Sequence, residues 1–186
     1  MTNQGKNAID LLLAESFKEL AATRPIEKIT IKEITDKAGV IRPTFYNHFQ
    51  DKYELLECIV QKELIEPMKP LIENGMVTEG VTCALSTMLK EKTFYLKAVK
   101  LEGQNSFNEV LHNAVSKLIL EYLTEEEVAK KLPYEWLTPE RAADFFAESL
   151  CYAVIEWIQT GMEIPMNEIV ETFIYMTYHS IVDMIS

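Results

Sequence analysis

The side chains able to do chemistry are few and scattered. His48, His112 and His179 have no neighbour at metal-ligand spacing, and Cys58, Cys83 and Cys151 are far apart, with no Cys-x-x-Cys pair. Neither a zinc site nor a disulfide framework is expected. No Gly-x-Ser-x-Gly turn, phosphate loop or Gly-x-Gly-x-x-Gly run is present, so neither an enzyme nor a cofactor is expected. A different chemistry is concentrated between Thr30 and Lys52, TIKEITDKAGVIRPTFYNHFQDK. Arg42, Thr44 and Asn47 are suited to base edges, arginine pairing with guanine and asparagine with adenine. Thr30, Tyr46, His48 and Lys52 suit phosphates, contacts that position a protein on a duplex without reading its sequence. Lys32 and Pro43 complete the surface assigned to DNA.

These side chains need a rigid pair of short helices, and the same stretch supplies the punctuation for one. Thr30 and Glu33 have capping-box spacing, with Ile29 and Ile34 at the staple positions around it. Ile34 and Ala38 give the helix a narrow apolar face. Gly39 ends it, because the turn there needs a left-handed backbone that glycine adopts without penalty. Pro43 opens the next helix, where its missing N–H leaves nothing unpaired, and Phe45 and Phe49 face the core from it. Asp51 and Glu54 have the spacing of a second capping box. The whole reads as a helix-turn-helix whose second helix enters a DNA major groove.

Helical periodicity accounts for most of the remainder. Met1 to Gly5 reads as a loose polar arm. A first helix from Lys6 to Thr23 buries Ile9, Leu12, Leu13, Phe17, Leu20 and Ala21, with Asp10 and Lys18 on its polar side. A fourth helix runs from residue 52 to Glu66, broken by Pro67 and Pro70. Further helices are expected at Val81–Lys90, Phe94–Leu101, from Ser106 onward (with Glu109, a third capping box), Pro139–Thr160 and Met166–Ile185. A charged connection with a short helix of its own joins Glu125 to Trp136. No segment alternates with a two-residue period, so the fold class expected is all-α, with about nine helices.

Composition sets limits on partners. The formal net charge of -11 argues against general polyanion binding. The charge is unevenly placed, however. Residues 1–52 carry 8 Lys+Arg against 7 Asp+Glu, and residues 53–186 carry 10 against 22. An acidic body joined to a near-neutral head suits a protein that meets phosphate at one end only. The absence of an N-terminal basic-then-apolar run and of any apolar stretch near ~18 residues implies no membrane association and a cytoplasmic location, with the cysteines as reduced, mostly buried thiols on helices.

The run ITIKEITDKAGVIRPTFYNHFQDKYELL resembles the DNA-binding domain of the TetR family of bacterial transcription regulators. The resemblance covers residues 6–65 and is strongest from Ile29 to Leu56: Ala-Gly-Val, then Thr-Phe-Tyr, His-Phe, Asp-Lys and Glu-Leu-Leu at fixed offsets. One position departs. The residue after Ala-Gly-Val is commonly a serine-like cap and is Ile41 here, so the third helix loses a side-chain cap that Pro43 only partly offsets.

The resemblance implies a DNA-binding head at residues 1–52, a connecting helix at 52–66, and a helical body at 53–186 used for dimerisation and ligand binding. It implies a homodimer through the last two helices, double-stranded operator DNA as partner, and a repressor released by a small-molecule effector. The alternative is an activator or co-regulator acting through a protein partner with weak or no DNA binding. Met88, Phe94, Tyr95, Tyr122, Phe146 and Tyr152 are candidates to line the effector cavity, although each read singly fits core packing better. Glu148 and Glu156 would favour a cationic ligand if they faced it.

Overall fold

A computed structural model describes residues 3–103, 105–124, 132–179 and 181–185. Helix α1 (Asn3–Thr23) begins before the expected loose arm ends, so Asn3 to Gly5 form its first turn. A single 3-10 turn at Ile26–Lys28 leads to α2 (Ile31–Ala38) and α3 (Arg42–Tyr46). Helix α4 (Lys52–Ile59) passes through a π-helical turn (Val60–Ile65) directly into α5 (Glu66–Glu73). Then come α6 (Val77–Lys90), α7 (Lys92–Ala98), α8 (Phe107–Leu123), α9 (Pro139–Gln159), α10 (Met166–Tyr178) and α11 (Ile181–Ile185). The described residues include no strand. The expected short helix between Glu125 and Trp136 falls largely on residues 125–131, outside the described ones.

Local chemistry forms the head as its residues dictate. The Thr30 hydroxyl accepts from the Glu33 N–H, while Glu33 Oε2 accepts from the Thr30 N–H at 2.9 Å and its hydroxyl at 2.7 Å. Those two bonds, with Arg24 beside them, hold the Glu33 carboxyl at about 2. Gly39 turns the chain at φ 68°. At α4 the Asp51 carboxylate accepts from the N–H groups of Tyr53 and Glu54. The reciprocal bond differs from the expected box, since Glu54 accepts from the N–H of Gln50, one residue earlier.

Pro67 and Pro70 do not break the fourth helix. The Glu66 N–H reaches back five residues to the Gln61 carbonyl. This wider turn lies just before Pro67 and makes room for a ring that would crowd the preceding turn of an α-helix. The last long helix, by contrast, divides at His179. There the backbone is extended (φ -116°, ψ 130°), and the imidazole stacks on Tyr175 at 4.0 Å.

The core is continuous from head to body. Leu13 and Phe17 of α1, Ile34 of α2, Phe45 of α3 and Leu55 and Leu56 of α4 are buried, and the same cluster runs on through Phe94, Tyr95, Phe107 and Trp157. Two charged residues expected on the polar side of α1 are also inside. Asp10 is only 6% exposed. One of its carboxylate oxygens lies 2.6 Å from His48 Nδ1, just after α3, and the other accepts from Lys62 Nζ in the π turn at 2.9 Å. Lys18, also buried, lies among Glu15 (2.8 Å), Glu63 of the π turn (2.9 Å) and Glu91 (3.5 Å). Adjacent residues of the π turn thus hold α1 with opposite polarity. Burial raises the Asp10 carboxyl, but the hydrogen bonds and charges of Lys62 and His48 outweigh it and leave the group below its ordinary 3.8. Burial lowers Lys18, and Glu15 and Glu63 more than restore it.

Two outcomes follow. Asp10→Asn leaves Lys62 and His48 without their anion and is expected to lower stability by about 2 kcal/mol at neutral pH. Because the folded carboxyl titrates below 3.8, its contribution is present above that value and fades as pH falls through the lower folded one. Urea unfolding across that range should show wild type and variant converging on acidification. Gly39→Ala meets no atom within 4 Å, so the expected loss of about 1 kcal/mol is backbone strain alone, read as a lower urea midpoint at unchanged slope.

Candidate nucleic-acid interface and effector cavity

Helix α3 follows α2 through the left-handed turn at Gly39, with Phe45 and Phe49 anchoring α3 at a ring separation of 5.8 Å. Anchoring that side leaves the other outward. Arg42, Pro43, Tyr46 and Asn47 are exposed and Thr44 is partly so. Arg42 Nη2 donates to the Tyr46 hydroxyl at 3.3 Å, and the guanidinium lies 5.9 Å from that ring. Lys32 is exposed on α2. This is a small donor-bearing surface whose α2 is braced from behind: Lys37 pairs with Glu19 of α1, and Glu33 with Arg24, just after α1, at 2.8 Å.

Three residues assigned to phosphate are otherwise engaged. The side chain of His48 is 2% exposed and turned inward onto Asp10, so in this structure it faces away from the recognition surface. Lys52 points its ammonium back at the carbonyls of Ile26, Glu27 and Ile29, at 2.9, 2.8 and 2.9 Å, and burial depresses its pKa. It clamps the 3-10 turn, adding a donor to the Ile26 carbonyl that also accepts the Ile29 N–H, and in this arrangement its ammonium is turned toward the backbone. Thr30 is exposed, but its hydroxyl serves the α2 cap.

Two of the spaces among the described residues of the body are lined almost wholly by apolar side chains. A void of about 30 Å³ lies between Leu85, Met88, Cys151 and their neighbours. A larger cavity of about 210 Å³ is walled by Met68 and Ile72 of α5, Tyr122 of α8, Phe146 and Leu150 of α9, and Phe173 of α10, among others. Of the expected liners, Met88 touches only the small void, while Tyr122 and Phe146 face the large cavity. Phe94, Tyr95 and Tyr152 line neither. Phe94 stacks edge-on against Phe17 (5.9 Å) and Tyr95 (5.2 Å), and Tyr95 meets Phe107 at 5.6 Å, making a packed aromatic core. Tyr152 is exposed on the opposite side of α9 from buried Cys151 and Val154. Neither Glu148 nor Glu156 lines the large cavity.

The last two long helices divide their apolar residues. Val154, Trp157, Ile158 and Val170 belong to the monomer core, and the Trp157 indole N–H donates to the Ile164 carbonyl at 2.8 Å. Phe145, Tyr152, Tyr175, Met176 and Tyr178 are exposed. Burial raises Cys58, and it pushes Cys151 up to about 12, so neither is an activated thiolate. Among the described residues no cluster of three or more His, Cys, Asp or Glu side chains could hold a metal ion. No described helix is long and apolar enough to cross a membrane.

What sequence reasoning missed are the ion pairs that set the head on the body: buried Asp10 and Lys18 of α1 with their partly buried partners Lys62 and Glu63. A signal existed. Asp10 precedes Ala14 by four residues and Lys18 follows it by four, which places both on the stripe that also carries Phe17 and Ala21.

Comparison with known proteins agrees with this geometry. Residues 16–59 match the pattern of bacterial regulatory proteins of the tetR family, and residues 77–179 match a transcriptional regulator C-terminal region of the same family. The chain is 26% identical over 158 residues to the HTH-type dhaKLM operon transcriptional activator DhaS of Lactococcus lactis subsp. lactis (strain IL1403), covering 81% of this chain and 79% of that protein. Among solved structures, it resembles the dihydroxyacetone kinase operon activator DhaS at 23% identity and a TM-score of 0.63, over 89% of this chain and 94% of that one. It also resembles NalD, the secondary repressor of the MexAB-OprM multidrug efflux pump in Pseudomonas aeruginosa, at 15% identity and a TM-score of 0.57, over 92% and 94%. With a helix-turn-helix head and a matching body that fills more than half its length, the chain belongs to the TetR family of bacterial transcriptional regulators.

Proposed function

We propose that the chain is a homodimeric repressor that leaves its operator when a small molecule fills the cavity beside α5. Residues 1–52 act as the DNA-reading head, residues 52–66 connect, and residues 53–186 form the dimerising, ligand-binding body. Arg42, Thr44 and Asn47 contact base edges, with Lys32, Pro43 and Tyr46 around them. The exposed aromatic faces of α9 and α10 pair with those of a second copy, and the protein works in the cytoplasm.

The observation that carries this reading is one of connection. The cavity wall supplied by Met68 and Ile72 stands on α5, which runs without interruption through the π turn into α4. Two recognition helices must meet half-sites about 34–36 Å apart. A shift of α5 therefore has a direct route to operator fit, and a coupling of roughly 1–3 kcal/mol is enough to regulate. A second reading, in which the same head recruits rather than blocks transcription, is favoured by the similarity to DhaS, an activator by its name.

The DNA reading is tested with fragments from the chromosomal neighbourhood of the gene. Binding at low salt should weaken by about a thousandfold between roughly 50 and 200 mM salt if some six phosphates are engaged. Asn47→Ala should cost about 1–3 kcal/mol, and no binding at any salt would defeat the proposal. The cavity is tested with the neutral dye N-phenyl-1-naphthylamine. It should bind the wild type and lose about tenfold in affinity, or roughly 1.4 kcal/mol, on Leu150→Trp; equal affinity for both proteins would place the dye elsewhere. A promoter fused to a reporter separates the two signs of regulation: deletion of the gene raises output for a repressor and lowers it for an activator.

A further inference from the structure

We infer that Ile41 is a specificity-determining residue that reads the C5-methyl group of a thymine in each operator half-site. The inference rests on the DNA-binding reading above. Ile41 occupies the cap position of α3 with an extended backbone (φ -88°, ψ 151°) and offers the helix no side-chain hydrogen bond. A serine, threonine or aspartate there would satisfy an orphan N–H, so the position forgoes a stabilising bond. It does not gain burial in exchange. The side chain is 68% exposed, whereas Val40, its branched neighbour in the same turn, packs against the core. The turn therefore sends one branched side chain inward and one outward.

Single exposed apolar residues are ordinary on protein surfaces. The location distinguishes this one. The N-terminal residues of a recognition helix are those that meet base edges, and Ile41 stands at that end. Arg42, next in the chain, folds back along the helix onto Tyr46, and Pro43 is exposed beside it. The leading edge of α3 is thus an apolar pair, Ile41 and Pro43, in a surface otherwise made of donors. In the major groove the apolar feature available to such an edge is the thymine methyl.

The test begins by selecting preferred duplexes from a random pool with the full-length purified protein. Each thymine of the selected site is then replaced in turn by deoxyuridine, which removes only the methyl group. For the wild type, one thymine per half-site should be sensitive, with affinity falling about fourfold for each methyl removed. Ile41→Ser should bind the thymine and uracil duplexes equally. It should also melt about 2–4 °C higher, because the cap is restored, which shows that the variant is folded. Wild-type affinity indifferent to every replacement, or sensitivity retained in Ile41→Ser, would overturn the inference while leaving DNA binding intact. Failure to enrich any duplex would remove the DNA reading itself and this inference with it.

Discussion

The carboxylate of Asp10 is the point at which the rest of the structure is pinned. It is buried, and a buried charge is tolerated only when partners surround it. Its partners come from different places: His48 from the turn after the recognition helix, and Lys62 from the π turn of the connecting helix. One group on α1 therefore fixes both the foot of the reading helix and the joint to the body. Lys18 repeats the arrangement with reversed sign, through Glu63 and Glu91. Breaking either contact would strand an ion inside the protein, so the arrangement favours one defined geometry more than it favours raw stability.

Around that pin the molecule keeps its electrostatic tasks apart. The acidic excess lies beyond residue 52, away from a surface that offers Lys32, Arg42 and Asn47. Two cations of the head do not add to its outward field. Lys52 is spent on three backbone carbonyls, and Lys18 is enclosed by carboxylates. The outward positive face is therefore smaller than the head's charge suggests.

Local rules were legible in the sequence. The Thr30–Glu33 box and the Gly39 turn involve residues three to nine apart, and type and spacing determine them. The all-helical class and the head followed from the same logic. Longer-range facts were hidden. Pro67 reads as a helix end because a proline's local effect is to stop an α-helix, and nothing local announces the wider turn that admits it. His48 and Lys52 read as DNA contacts because their residue types suit phosphate, but Asp10 and the carbonyls of the 3-10 turn claimed them first. Among the proposed cavity liners, Tyr122 and Phe146 share their chemistry with Phe94 and Tyr95. Only packing separates an aromatic that walls a space from one that fills it.

The π turn also bears on how chains of this kind can change length. Such a turn holds one residue more than the α-helix on either side, and the flanking segments stay in phase across it. A relative shorter by one residue between Val60 and Ile65 would close the turn to ordinary α-helix and still present its head in the same orientation. A residue lost elsewhere along α4 or α5 would rotate the head by about 100°. The connection thus contains one place where an insertion or deletion is nearly silent for orientation while changing how tightly α1 is held. Length variation at that joint is a route by which regulators built this way can diverge in responsiveness without redesigning what they read.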